Sequence, residues 1–333
     1  MDHVAVFGVG SSNFRYTVAT PDGTFREDVT VEPTRPHELS TQLVTAVEEL
    51  QTVTPQALDA VGVSCTGLVD PGAGAIHDLD TPAGETIDRI DVRGPIGEAH
   101  GLPVFLANDC NGAALGEWWY GERADHHCLV HVTFGTGIGG GIVRNGRLVR
   151  GEMGQAGEFG LLPIAPDDHE STGVTGAWES ICSGRGIPQY VARRASAVAS
   201  RGADDGGTRC RAQRFADGTA KDVFEAAAAG NAVAETCLAE IARYNAAGIA
   251  AICNAVNPGL ITLGGGIALN NPDWIVDGID ASLDEYLFVD RPEIRLSSLG
   301  DDIGLYGALA TVRARYSEVP ASEECAASSE TDP

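Results

Sequence analysis

The sequence predicts an α/β protein of two lobes, each laid out as three strands, a helix, a strand and a helix. Three observations predict it. The chain has 333 residues, enough for about two domains. Its apolar segments alternate between short strand-like runs and longer stretches of helical spacing. The order of those segments in residues 1–120 recurs in residues 121–300 without any repeat of the sequence itself.

Residues 4–8, 14–19 and 24–31 read as strands, with Pro21-Asp22-Gly23 as a turn between the last two. Residues 37–51 read as a helix, because Leu39, Leu43, Val44, Val47 and Leu50 fall on one stripe. Strands at 60–64 and 104–107 and a helix at 111–120 complete the first lobe. In the second lobe, residues 128–134, 140–144 and 147–150 read as strands. Asn145-Gly146 joins the last two as a hairpin. Helices follow at 177–199, 221–229 and 231–256, and strands at 260–263 and 293–296. A last helix, about 301–316, is expected to pack back on the first lobe. Residues 201–220, rich in Gly, Asp and Arg, read as a surface insertion. Residues 317–333 lack periodicity and are expected to be a disordered tail. Doubled βββαβα lobes are the plan of the actin/hexokinase-like (ribonuclease H-like) fold, which holds a nucleotide in the cleft between lobes.

Hydrophobic residues make up 43% of the chain, but no apolar run reaches the roughly 18 residues that a membrane span needs. Met1-Asp2-His3-Val4 leads straight into a strand, with neither a basic region nor an apolar signal core, so a cytoplasmic protein is expected. The formal net charge is −25, from 47 acidic and 22 basic residues, and Lys221 is the single lysine. Such a surface repels nucleic acid and anionic lipid, so neither is expected as a partner. It also suits a salt-rich, halophilic cytoplasm, where counterions screen self-repulsion. The eight cysteines form no CxxC pair, and several sit inside apolar runs, so they read as free thiols in a reducing compartment.

No P-loop pattern occurs, so phosphate handling must come from other glycine-rich turns. Gly8-Val9-Gly10-Ser11-Ser12-Asn13 lies between the first two strands; it reads equally as a phosphate loop or a plain hairpin turn. Residues 135–141 carry five glycines, among them Gly135 and Gly137 flanking Thr136. Such a run costs backbone entropy, and close approach of a ligand is the usual reason for it, with a tight hairpin as the alternative. A buried strand ends in Gly264-Gly265-Gly266, a place where a nucleotide can lie against backbone, or simply a strand-to-helix turn. Residues 104–107 deliver Asn108 and Asp109 to a strand end just before a helix. Ligands bind at such ends, although an Asp there can also be only a helix cap. Glu158, in a glycine-rich turn, and Glu179, early in a helix, can each accept hydrogen bonds from vicinal sugar hydroxyls or serve as caps and surface charges.

Taken together these segments resemble the ROK family (repressors, open reading frames and sugar kinases) over roughly residues 4–315. The likeness rests on residues 108–117, 134–141 and 151–160 in order and spacing. The resemblance implies ATP-dependent phosphorylation of a hexose, with Asp109 as catalytic base and Asn108, Asp109, Gly67, Glu158 and Glu179 on the sugar. It implies ATP contacts at Gly10, Ser11, Ser12, Gly135, Thr136, Gly137, Gly264, Gly265 and Gly266, a Mg²⁺ ion bound chiefly through ATP, and a homodimer. Two departures stand out. Gly8 occupies the place of an Asp that helps order Mg²⁺ and phosphate in the family. Leu161, Glu170, Thr172 and Ala177 occupy the places of a zinc-binding His and three Cys, so no structural zinc is expected. Asp167, Asp168, His169 and Glu170 read instead as a solvated acidic loop. Members that act as repressors carry a DNA-binding region ahead of the first strand, which this sequence does not show. The alternative to a kinase is therefore a catalytically silent sugar sensor of the same fold.

The charge generates one expectation. The melting temperature should rise from low salt to molar KCl as repulsion is screened; a flat or falling curve would contradict the salt-adapted reading.

Overall fold

The computed structural model describes residues 1–81, 84–123, 125–165, 169–201 and 214–318. Asp167, Asp168, most of the 201–220 insertion, Cys210, Cys325 and the tail from residue 319 lie outside the described residues. The chain divides into two compact units, Met1–Tyr120 with the segment from Asp301, and Gly121–Gly300.

In the first unit β1 (Val4–Val9), β2 (Asn13–Ala19), β3 (Thr30–Pro33), β4 (Ala60–Cys65) and β8 (Val104–Asn108) form a sheet of order β3-β2-β1-β4-β8. The β1–β2 and β2–β3 pairs are antiparallel, while β1–β4 and β4–β8 are parallel. Helix α1 (Leu39–Val53) buries Leu39, Leu43, Val47 and Leu50 in a core with Phe7, Phe14 and Val63. The predicted strand at 24–31 is corrected. Only a bridge from Phe25 to Ala19 forms there, because Phe25 turns in to stack on Tyr306 at 4.9 Å, and regular pairing begins at Thr30. A three-stranded sheet, β5 (Leu68–Asp70), β6 (Ala75–Asp80) and β7 (Thr86–Asp91), was not predicted; helix α2 (Arg93–His100) follows it, then β8 and α3 (Asp109–Tyr120).

The second unit repeats the arrangement. Strands β9 (Cys128–Phe134), β10 (Ile138–Arg144), β11 (Arg147–Leu148), β14 (Leu260–Gly264) and β15 (Glu293–Leu296) give the order β11-β10-β9-β14-β15, with the same pairing directions. Asn145 and Gly146 both have positive φ, as a two-residue hairpin requires. A small hairpin, β12 (Glu170–Ser171) and β13 (Val174–Thr175), precedes the helices. The predicted helix at 177–199 is two helices, α4 (Glu179–Cys182) and α5 (Gly186–Arg201). The break occurs because Gly184 and Arg185 donate their amides to the carbonyls of Gly135 and Thr136. Helix α6 (Ala220–Ala228) starts at a capping box made by Thr219 and Asp222, and α7 (Ala232–Val256) is capped by Asn231. Helix α8 (Gly265–Asn270) follows the glycine triplet, as a strand-to-helix turn there implies, and α9 (Gly278–Ser282) was not predicted. Trp178 anchors this core; its ring meets Phe134 edge-on and its indole N–H donates to Asn245 at 2.9 Å.

The last helix, α10 (Ile303–Glu318), packs on α3, β4 and β1 of the first unit. Backbone meets backbone there. A Cβ on Gly307 would lie 2.6 Å from the carbonyl carbon of Gly112, and one on Gly62 would run into the carbonyl of Ala308. Six cysteines are described and all are free thiols. Among the described residues no helix is long and apolar enough to cross a membrane.

These contacts set a test. Gly62→Ala should cost on the order of 1–3 kcal/mol through overpacking. Gly97→Ala, in α2 with open space around the new methyl, should gain about 0.5–1 kcal/mol. Denaturant unfolding that ranks the two the other way would contradict the packing described.

Candidate active site

In the first unit the parallel strands end in one row, with Val9 paired to Cys65 and Cys65 to Asn108. The turns that leave these strands therefore emerge along one sheet edge, where open α/β sheets bind ligands. They carry Gly10-Ser11-Ser12, Gly67 and Asp109.

Asn108 caps α3. Its Oδ1 accepts from the amides of Cys110 and Asn111 at 3.0 and 3.4 Å, and its Nδ2 donates to the carbonyl of Gly67 at 3.1 Å. Gly67 itself has φ +94°, a conformation that favours glycine. With Asn108 in that place, Asp109 is not needed as the cap. One oxygen of Asp109 accepts the Cys110 amide at 2.9 Å. Although the residue keeps some exposure, its carboxyl group is desolvated. Burial pushes its pKa above the ordinary carboxylate value, and the Cys110 hydrogen bond opposes this.

The opening turn is tight. The Gly10 amide donates to the Asn13 carbonyl at 2.9 Å, so it serves the turn, and Ser11 and Ser12 are the exposed groups. Thr34 pins the turn, its hydroxyl donating to the Gly10 carbonyl at 2.7 Å and its amide to that of Ser12. Nothing in the local sequence marks Thr34 for this. Gly8 sits between Arg15 on β2 and Ser64 on β4. The nearest atom to a Cβ added there is 3.5 Å away, in Gly304, and the buried Ser64 hydroxyl has no hydrogen-bond partner among the described residues. The position could hold a larger side chain but supplies no metal ligand.

In the second unit Gly135-Thr136-Gly137 follows β9, and at the end of β14, its parallel neighbour, Gly264 closes the strand and Gly265-Gly266 open α8. The reading of 135–141 as a ligand-binding glycine run is corrected in part. Gly139, Gly140 and Gly141 lie inside β10, and Gly140 is bare because the Phe159 ring packs where its Cβ would be. Packing also explains two of the second triplet. Gly264 faces the His131 ring, and Gly265, with φ +81°, lies against the Phe134 carbonyl; Gly266 alone opens onto space.

Glu179 reaches the first of these turns. One carboxylate oxygen accepts the Ile138 amide at 3.0 Å and the other accepts the Ser171 hydroxyl at 2.5 Å. Gly137 and Gly160 leave room for it, since a Cβ on either would come within 3.0 Å of the carboxylate. Ser171, which the sequence reading passed over, is thus the residue that orients Glu179. Glu158 is exposed and follows Gly157, whose φ of +103° and contact with the Gly140 carbonyl press the turn onto β10. Among the positions aligned with a zinc site, Ala177 is buried and Thr172 turns the β12–β13 hairpin with φ +53°.

Beneath the glycine triplet, His131 is buried between Thr262 and Thr133, with ring nitrogens 2.9 and 3.1 Å from their hydroxyls. Burial lowers its pKa from 6.5 to about 4. The folded protein therefore resists a proton that the unfolded chain accepts. Stability tied to this group is present above pH 6.5 and is lost as pH falls toward 4, by up to about 3 kcal/mol. Wild type should lose more stability across that window than His131→Gln in denaturant unfolding; equal losses would show that His131 titrates normally.

Known proteins share this architecture. The ROK family model matches residues 5–315. A glucokinase of Streptomyces coelicolor is 30% identical over 294 residues, covering 84% of this chain and 88% of that protein. A ROK hexokinase of Thermus thermophilus superposes with a TM-score of 0.78 at 29% identity, over 95% of this chain and 99% of that one. A ROK family glucokinase of Streptomyces griseus, solved with glucose and AMPPNP, gives 0.69 at 27% identity, over 94% and 99%. With the family model matched over nearly its whole length and a family structure superposing over 95% of it, the chain belongs to the ROK family.

Proposed function

We propose that this protein transfers the γ-phosphoryl group of ATP to a hydroxyl of a hexose, with Asp109 as general base. The observation that carries the reading is the state of Asp109: a desolvated carboxylate at the head of α3, relieved of the capping duty by Asn108. The glucokinases among the relatives support the reaction type, and the Streptomyces griseus complex with glucose and AMPPNP supports the two substrates.

In this reading Asn108, Gly67, Glu158 and Glu179 hold sugar hydroxyls. Carboxylates suit that task because each can accept from two vicinal hydroxyls. Glu179 is held at both oxygens by the Ile138 amide and Ser171, which fixes where its remaining lone pairs point. Ser11, Ser12, Gly135, Thr136, Gly137 and the Gly264–Gly266 turn take the nucleotide, with Gly266 as the point of closest approach. As the sugar oxygen attacks the γ-phosphorus in line, Asp109 accepts its proton and the bond to the ADP oxygen breaks. ATP enters as its Mg²⁺ complex. With Gly8 the first strand brings no carboxylate to that ion, and no step is assigned to it.

The raised pKa has a direction. Asp109 must be ionised to act, so kcat should fall as pH drops, with a midpoint above about 4, where an ordinary Asp titrates. The same shift means that ionised Asp109 costs folding stability as pH rises through its folded value. Asp109→Asn should therefore lower kcat by about 10²-fold or more, change sugar affinity modestly, and melt no lower than wild type at pH 7. Near-normal turnover in the variant would remove Asp109 from the mechanism; circular dichroism would expose a loss of turnover that is only a loss of fold.

Gly8 favours one second reading, a sugar sensor without catalysis. Wild type that binds sugar but forms no ADP would support it. Gly8→Asp would then be the substitution to try, since the position has room and an unpartnered Ser64 hydroxyl beside it.

A further inference from the structure

A cavity of about 380 Å³ opens in the second unit, lined by none of the turn residues described above. One face of α7 lines it, with Glu240, Arg243, Tyr244 and Ala247 at spacings of three and four residues, and one face of α5 adds Tyr190 and Arg194. This stripe is distinct from the one by which α7 enters the core, which runs through Leu238, Ile241, Ile249 and Ile252.

The wall is preorganised. The buried Tyr190 donates its hydroxyl to Glu240 at 2.6 Å, and Arg194 pairs with the other oxygen of the same carboxylate. Tyr286 forms another part of the rim. Asn254 holds its backbone, donating to the Tyr286 carbonyl and accepting the Phe288 amide, both at 3.0 Å.

The charge balance is the informative feature. Glu240 is neutralised by Arg194, and Arg243 makes no ion pair among the described residues. The lining therefore carries an excess positive charge in a chain whose net charge is −25. A merely solvated arginine would need neither a cavity nor aromatic walls. A guanidinium over an open cavity is matched by a phosphate, which it can hold through two parallel hydrogen bonds. Tyr190 and Tyr244 meet edge to face at 83°, so they form no parallel slot for a flat base. Their faces suit the C–H surface of a sugar ring, and Glu240 retains lone pairs for hydroxyls. The volume falls in the usual range for small-molecule sites, about 300–1,000 Å³.

We propose that this cavity is a second ligand site, for a phosphorylated monosaccharide, with Arg243 on the phosphate and Glu240 on the hydroxyls. The inference concerns binding and stands whether or not the protein is a kinase.

Isothermal titration of the full chain with glucose 6-phosphate tests it, alongside inorganic phosphate, glucose and AMP. Wild type should bind the sugar phosphate more tightly than any of the three. Arg243→Ala should weaken that binding about tenfold or more, and Arg243→Lys should weaken it less. Both variants should keep the wild-type melting temperature and, if the protein is a kinase, the wild-type rate at low product. Product held at the Asp109 site would not respond to Arg243, so an unchanged isotherm in Arg243→Ala overturns the proposal. So does the absence of sugar-phosphate binding at millimolar concentrations, equal binding of AMP, or equal binding of inorganic phosphate, which would mark a nonspecific anion site.

Discussion

Contact of backbone with backbone, possible only where side chains are missing, holds the first unit together around the sheet edge that carries its candidate site. Helix α10 lies so close to β4 and α3 that Gly62 and Gly307 have no room for a methyl group. That contact sets the level of α3 against the sheet, and α3 begins with Asp109. The sheet register then puts Val9, Cys65 and Asn108 in one row, so that three turns leave the sheet together. The second unit uses the same device. Gly265 lies on the Phe134 carbonyl at the end of β9 and Gly157 on that of Gly140 within β10, and each contact presses a turn onto a strand. Interiors packed at crystal-like density admit no slack at such points, so the positions of the turns follow from the packing beneath them.

Polar groups are arranged so that structural and chemical duties fall on different residues. Asn108 satisfies the head of α3 and ties it to Gly67, leaving Asp109 as a desolvated carboxylate. That arrangement costs stability at neutral pH and is what a general base requires. His131 shows the other outcome of burial. It stays neutral, bonded to two threonine hydroxyls, and joins β9 to β14 beneath the glycine triplet. Burial thus raises the pKa of one titratable group and lowers that of the other.

Most strands of the two five-stranded sheets were legible because they are short apolar runs bounded by Gly, Pro or Asn, and the doubled order followed from them. What the sequence hid was set by contacts distant along the chain. Phe25 leaves its strand to reach Tyr306, which no local pattern signals. The helical spacing across residues 177–199 is genuine, but hydrogen bonds from Gly184 and Arg185 to the turn after β9 interrupt it. In the glycine run at 135–141, composition could not separate glycines bare for a ligand from Gly140, bare for Phe159. At the candidate site the chemical residues stood out by motif. Their supports, Thr34 and Ser171, did not, because a hydroxyl that orients another group looks in sequence like any surface Ser or Thr.

The central claim is that these strand-end turns serve phosphoryl transfer from ATP to a sugar. The most direct measurement incubates wild-type protein with MgATP and a panel of hexoses at several salt concentrations, and quantifies ADP and sugar phosphate together. The account predicts one ADP for each sugar phosphate with at least one hexose, and little ADP without sugar. Sugar binding with no ADP at any salt concentration would contradict it.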